Sequence, residues 1–255
     1  RQPTSLKVWY IRLFLLVQLK QFSTVEVEAE PFGDLDNPDL YYEYYNKIEP
    51  QYQQESGMHK IGSMVPFGFR LLLAELPQHL SKHHEAIDRL HQLLATIEKM
   101  LKNMKNNTPE NSQNPECNEN AERVATLQLW KKRKRSVLYT ISNCAIMQKD
   151  FELSIMNLEI LYELSDSIEE KINIKSSIGR VYLQLGDVTV ATECFEVAKE
   201  LRRNKMQSET GKKYTGMKVD ELMDDALVSM STNTVSYTHL RAHETRGNLV
   251  CRLVL

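Results

Sequence analysis

Residues 172–201 read INIKSSIGRVYLQLGDVTVATECFEVAKEL, and this stretch decides the fold of the chain. Apolar residues recur at helical spacing on both sides of Gly186-Asp187, which predicts two helices joined by a turn. Small residues on the facing stripes let two helix axes approach, and large rings fill the space beside them. The stretch therefore predicts a helical hairpin with a repeat core of Gly179, Tyr182, Gly186, Ala191, Phe195 and Ala198.

The spacing of these core positions resembles the tetratricopeptide repeat, a unit of about 34 residues. Arg203 stands where that repeat has its closing proline. One hairpin cannot bury its own apolar face, so neighbours must stack against it. The predicted fold class is all-α, an α-solenoid of tetratricopeptide-like helical hairpins near residues 6–31, 67–104, 124–166 and 169–203.

The predicted solenoid occupies residues 1–232, with long inter-repeat loops at 31–62, 105–120 and 204–215. In the hairpin near 124–166, Ser142 and Ser154 stand where the repeat has its small glycine and alanine, so small size is kept while identity is lost. The tail at 235–255 offers no matching stripe and contains SYTHLRAHET. We interpret it as non-native, adapter-derived sequence and exclude it from the fold.

Composition and charge exclude several classes of protein. A net charge of −2 with 26% charged residues is not typical of a protein that binds nucleic acid or membrane surfaces in bulk. The four cysteines are scattered without a C-x-x-C pair, and Cys144 and Cys194 fall in apolar helical stripes, which favours reduced thiols in a cytoplasmic protein. The apolar run at 6–20 contains Arg12 and is short for a membrane span, so it predicts a buried helix.

A tyrosine-rich segment follows the first predicted hairpin. The candidate partner-binding residues are Tyr41, Tyr42, Tyr44 and Tyr45, in a stretch broken by prolines. Tyrosine offers a large amphipathic contact area at low entropic cost, which suits a partner contact. The alternative is a loop whose tyrosines cover a hydrophobic groove of this same chain.

Two other clusters have plain structural interpretations. His79, His83, His84 and His91 lack the spacing and the further ligands of a metal site, so we predict no bound metal. The basic run 131–135 predicts a solvated helix face beside acids such as Glu169 and Glu170. A nuclear-import or acidic-partner contact is the alternative for that run.

Three stretches resemble a family of trafficking protein particle complex subunits: WYIRLFLLVQLKQF at 9–22, EPFGDLDNPDLYYEYYNKIEP at 30–50 and GSMVPFGFRLLLAEL at 62–76. The resemblance covers residues 1–205 and continues weakly to about 230. It implies a non-catalytic scaffold subunit of the form III vesicle-tethering complex, acting in endoplasmic-reticulum-to-Golgi transport and autophagy. It also implies a cytoplasmic location, peripheral to ER-exit and Golgi membranes, with other subunits of that complex as partners and no cofactor.

The sequence lacks the common motifs of enzymes, including the P-loop, G-x-G-x-x-G, H-E-x-x-H and G-x-S-x-G, so we predict no catalytic residues. The alternative function is a tetratricopeptide co-chaperone or another protein-binding adaptor unrelated to trafficking. Co-chaperones of that family bind a C-terminal carboxylate through paired Lys, Asn and Arg residues at fixed positions of the repeat. Lys7 and Asn143 match that pattern singly, and no repeat has a complete pair.

Overall fold

The fold is helical throughout the part of the chain that can be described. A computed structural model describes residues 3–44, 62–106, 117–210 and 219–233. In these ranges the regular structure is helical, apart from an isolated antiparallel bridge between Tyr41 and Ser63. The all-α prediction is confirmed. The tail at 235–255 lies outside the described residues, and its non-native origin stays a prediction.

Consecutive helices pair as hairpins, which confirms the hairpins that the sequence predicted. The pairs are α1 (Pro3–Gln18) with α2 (Phe22–Ala29), α3 (Phe67–His79) with α4 (His83–Asn106), α5 (Cys117–Met147) with α6 (Phe151–Leu164), and α7 (Ile168–Leu185) with α8 (Val188–Thr210); α9 (Val219–Asn233) follows.

Helix α8 is longer than its sequence predicted. We expected a loop at 204–215, but the helix continues to Thr210. The polar residues there include Lys, Gln and Glu, which are good helix formers, so loss of the apolar stripe did not end the helix.

The chain divides into two compact units, one up to Arg133 and the other from Lys134. Each contains two or more of the helices described above and is treated by itself. The extent of a single solenoid over residues 1–232 stays a prediction.

All four hairpin turns share one backbone motif, although only the last has a glycine. The residue two positions before the second helix is left-handed in each: Lys20 (φ 58°), Ser81 (φ 62°), Lys149 (φ 63°) and Gly186 (φ 86°). The next backbone N–H then donates to the carbonyl five residues earlier, at 2.9–3.0 Å: Gln21 to Leu16, Lys82 to Pro77, Asp150 to Ala145 and Asp187 to Tyr182. This is the Schellman motif, which satisfies the last carbonyls of the first helix.

Lys149→Gly should stabilise the protein by about 0.5–1 kcal/mol, because a side chain in the left-handed region is strained and glycine is not. The gain is reduced by the greater freedom of glycine in the unfolded chain. Urea unfolding measures the change. Lys149→Ala removes the same charge but keeps the Cβ atom, so this control should give no gain. An equal gain from both variants would assign the effect to charge.

The core of the first unit lies between α1, α2, α3 and the segment joining them. Its buried residues are Leu6, Leu13, Val25, Leu40, Met64, Val65, Phe69, Leu72 and Leu76. Helix α1 contributes only one face, since Val8, Ile11 and Leu15 are more than half exposed. The buried helix that the sequence predicted at 6–20 is therefore a helix buried along one face. No helix of the described ranges is long and apolar enough to cross a membrane.

In the second unit, small polar residues hold α5 against α6. The hydroxyl groups of Ser142 and Ser154 lie 2.8 Å apart and are fully buried. Small size lets the two helices approach, and the hydrogen bond satisfies both hydroxyl groups at the contact. Cys144 and Cys194 are buried and form no disulfide bond, and burial raises the pKa of the Cys194 thiol.

Candidate functional site: the tyrosine loop and the adjoining cleft

The tyrosine loop, residues 33–44 and 62–66, is anchored by one apolar side chain. It follows the short 3₁₀ turn Glu30–Phe32 and contains a second one, Pro38–Leu40, and each turn has a proline in its first two positions. Leu40 is fully buried in the core of the first unit. Its carbonyl accepts a hydrogen bond from the Met64 N–H at 2.8 Å, and the Tyr42 N–H donates to the Gly62 carbonyl at 3.0 Å. These bonds join the two halves of the loop.

Arg70 of α3 holds the same loop in place through hydrogen bonds. Its guanidinium donates to the Asp36 carboxylate at 2.5 Å, to the Leu35 carbonyl at 2.9 Å and to the Ser63 hydroxyl at 3.0 Å. The Tyr41 hydroxyl donates to the same Asp36 carboxylate at 3.3 Å. One cation therefore binds three groups of the loop and joins its two halves. Arg70 could not be selected from the sequence, because its partner Asp36 lies 34 residues away.

The three described tyrosines of the loop have three different environments. Tyr41 is half-buried beside Asp36, and Tyr42 packs against the core of the first unit. The side chain of Tyr44 is 43% exposed. Tyr45 lies outside the described residues. Tyr42 therefore has the position expected of a tyrosine that covers the chain's own core, while Tyr44 has the exposure that a partner contact needs. Their partner-binding role stays a prediction.

A cleft of about 760 Å³ adjoins the tyrosine loop, between α2, α3 and α4. The floor of the cleft is apolar. The residues that form it include Val27, Leu73, Leu76, Pro77, Leu80 and Leu93. Its rim is charged, and Asp36 and Arg70 belong to both the rim and the loop. A concave apolar surface with a few placed polar groups is the usual form of a binding site.

Pro77 shapes the wall of this cleft. Proline has no N–H, so the Leu73 carbonyl loses the hydrogen bond that residue 77 would supply within the helix. The Arg89 guanidinium of α4 donates to that carbonyl at 3.2 Å, and also to the Glu85 carboxylate at 2.5 Å. On the opposite side, Lys82 donates to Glu26 at 2.7 Å, and this hydrogen bond raises the pKa of Lys82.

The predicted repeat core lies in the second unit, between α7 and α8. Ala191, Phe195 and Ala198 are buried, and Tyr182 packs against the cluster formed by Leu183, Ala191 and Phe195. A Cβ atom added to Gly179 would lie 2.7 Å from the Phe195 ring, so the ring occupies the space that a side chain would need. Gly186 forms the left-handed turn residue described above.

A buried ion cluster lies beside this core and links α7, α8 and α9. Asp224 accepts hydrogen bonds from the Arg180 guanidinium at 2.9 Å and from the Ser176 hydroxyl at 3.0 Å. Arg202 donates to the Ser176 hydroxyl at 3.3 Å and lies 3.7 Å from Asp224. No sequence pattern indicates this cluster, since its members are spread over three helices.

His79, His83 and part of the basic run have structural partners. The ring of His79 stacks on Phe22 at 4.5 Å, and His83 hydrogen-bonds Gln78 at 3.1 Å. The described residues contain no cluster of His, Cys, Asp and Glu that could hold a metal ion. In the basic run, the Arg133 guanidinium lies 4.6 Å from the Trp130 ring centroid, and Arg135 pairs with Glu170 at 2.7 Å.

Two curated proteins are similar to this chain over most of its length. The mouse protein (Mus musculus) named Trafficking protein particle complex subunit 12 is 35% identical over 235 residues, which are 92% of this chain and 27% of that protein. The human protein (Homo sapiens) of the same name is 34% identical over 235 residues, 92% of this chain and 30% of that protein. The chain therefore spans less than a third of the length of these relatives.

No protein-family model matches the chain, and no solved structure matches it either. The two relatives nevertheless match along almost all of it. This confirms the resemblance seen in the sequence. The chain is therefore similar, over nearly its whole length, to a segment of the proteins named Trafficking protein particle complex subunit 12.

Proposed function

We propose that this chain is a non-catalytic interaction segment of a trafficking protein particle complex, to which it contributes helical surfaces that bind other subunits. The observation behind this proposal is the 35% identity, over 92% of the chain, to a protein named as a subunit of that complex. Stacked helical hairpins hold side chains from neighbouring helices on one extended surface, which is how such repeats serve as binding scaffolds.

The finer role follows from the resemblance in sequence. In this proposal the complex is the form III vesicle-tethering assembly, acting in endoplasmic-reticulum-to-Golgi transport and autophagy. The chain is cytoplasmic and reaches ER-exit and Golgi membranes only through its partner subunits. The cleft and the exposed Tyr44 support a binding role, since they offer apolar and amphipathic area that the fold leaves uncovered.

The proposal is tested by purifying the tagged chain from cells and identifying its partners by mass spectrometry. We expect the other subunits of the complex in fixed proportion to the chain. Heat-shock chaperones in their place would favour the co-chaperone alternative. Partners that change from one preparation to the next, with no complex subunit among them, would contradict both.

Within the tyrosine loop, Tyr44→Ser should weaken binding to the complex by about tenfold, because an exposed tyrosine at a contact contributes on the order of 1–2 kcal/mol. Its effect on the free energy of unfolding should stay within about 0.5 kcal/mol. Tyr42→Ser is the matched control, because Tyr42 packs on the core. That variant should lower stability measurably in urea. Equal effects of the two variants on binding and on stability would refute separate roles.

A further inference from the structure

The rim of the cleft beside the tyrosine loop has more acids than bases. Its acidic members are Glu26, Glu30, Asp34, Asp36 and Glu85, and its basic members are Arg70, Lys82 and Arg89. Each base is paired with one acid: Arg70 with Asp36, Lys82 with Glu26, and Arg89 with Glu85. Among the described residues, Glu30 and Asp34 have no basic partner. Five carboxylates against three cations leave two negative charges at the edge of the cleft.

The floor of the cleft includes apolar area that solvent reaches. Val27 of α2 is 69% exposed and stands between Glu26 and Glu28, whereas Val25 of the same helix is fully buried. Leu73 of α3, Leu80 directly after α3, and Leu93 of α4 are half-buried in the same cleft. An apolar floor under a charged edge is typical of a site that a partner covers.

The backbone around the cleft limits the form of that partner. Two of its walls are the helices α3 and α4, whose backbone groups bond along their own helices except for the Leu73 carbonyl, which Arg89 satisfies. These two walls therefore offer no strand edge for an extended peptide. A helical partner satisfies its own backbone and presents only side chains, which is what such a groove can accept. The negative edge repels anionic lipid and anionic peptides and attracts Lys and Arg.

We propose that this cleft binds a basic amphipathic helix from another subunit of the complex. Aliphatic side chains of that helix cover Val27 and the leucine floor, and Lys or Arg residues beside them pair with Glu30 and Asp34. The inference rests on the proposed function, since it supplies the chemistry of one partner in the complex.

The contact is tested by placing a photo-crosslinking amino acid at Val27 of the whole chain. The chain is assembled with the purified subunits of the complex and irradiated, and the joined peptides are identified by mass spectrometry. We expect peptides with apolar residues at helical spacing, i, i+3, i+4 and i+7, and a net positive charge. Crosslinks to a second copy of this chain, to acidic or non-helical segments, or to nothing while the complex still assembles would overturn the assignment.

Charge reversal provides an independent measurement on the same site. The double variant Glu30→Lys/Asp34→Lys should weaken binding to the complex at least about tenfold, with a smaller dependence on salt than the parent chain. The control, Glu163→Lys/Glu200→Lys, reverses two exposed acids of α6 and α8 in the other unit and should change binding less than twofold. Equal effects of the two variants would overturn the site.

The two proposals fail differently. If the parent chain assembles with the complex but neither the crosslink nor the charge reversal gives the expected result, only the cleft is wrongly assigned. If the folded parent chain does not assemble at all, the proposed function fails and this inference fails with it. Circular dichroism of every variant establishes that the helices are intact.

Discussion

Asp224→Ala should lower the free energy of unfolding of the second unit by about 3–5 kcal/mol. The Asp224 carboxylate is 1% exposed and faces two guanidinium groups, Arg180 and Arg202, whose side chains are each 8% exposed. Without Asp224, each guanidinium group loses a buried ion-pair partner in a place where water cannot replace it. Among the described residues, Nη1 of Arg202 has no hydrogen-bond partner, so this side of the cluster already contains an unsatisfied buried donor.

Asp225→Ala is the matched control for that change. Asp225 is the next residue on α9 and pairs with Lys199 at 2.6 Å, but its side chain is 36% exposed. Its loss should cost no more than about 1 kcal/mol, since water can replace the pair. Urea unfolding gives both values, and hydrogen exchange in α9 should rise only in the Asp224 variant. Similar losses from the two variants would show that burial does not set the strength of the cluster.

Phe195→Ala should cost about 3–5 kcal/mol, because it leaves a cavity between α7 and α8 at the place where Gly179 brings them together. Phe195 is 2% exposed and lies against the backbone of Gly179. The reciprocal change, Gly179→Ala, should cost about 1–3 kcal/mol, since the new methyl group must displace the ring.

The double variant Gly179→Ala/Phe195→Leu tests whether these two residues share one space. A smaller side chain at 195 leaves room for the methyl group. The costs of the single variants Gly179→Ala and Phe195→Leu should therefore sum to more than the cost of the double variant. Phe14→Ala serves as the control for phenyl removal, because Phe14 is 42% exposed and its loss should cost about 1 kcal/mol or less. Additive costs in the thermal or urea unfolding of the pair would contradict the packing described here.

The fold class could be predicted because hairpin packing has a local signature. Gly179, Phe195 and their neighbours repeat at intervals fixed by the helix, so the sequence alone shows which faces meet. The turns were harder to recognise. Lys20 and Lys149 adopt the same left-handed conformation as Gly186, but lysine, unlike glycine, has no preference that would predict this conformation from the sequence. The backbone hydrogen bonds, rather than the turn residue, define the repeat at those positions.

The charged contacts could not be predicted from spacing. Arg180 and Asp224 are separated by 44 residues, and Arg70 and Asp36 by 34 residues, and a pairing at such a distance has no periodic pattern. The tyrosines illustrate a different limit. Tyr42 and Tyr44 are near neighbours of the same residue type, but the chain turns after the buried Leu40 and gives them different surroundings. The residue type predicted a candidate surface of tyrosines. Which of them packs on the core and which is exposed depends on the path of the backbone.

The assembly role is tested most directly by sedimentation of the purified chain with a trafficking protein particle complex assembled without its subunit 12. The proposal predicts that the chain sediments with the complex at one copy per assembly and that Tyr44→Ser reduces this fraction. A folded parent chain that sediments alone at every concentration, beside an intact complex, would contradict the proposal.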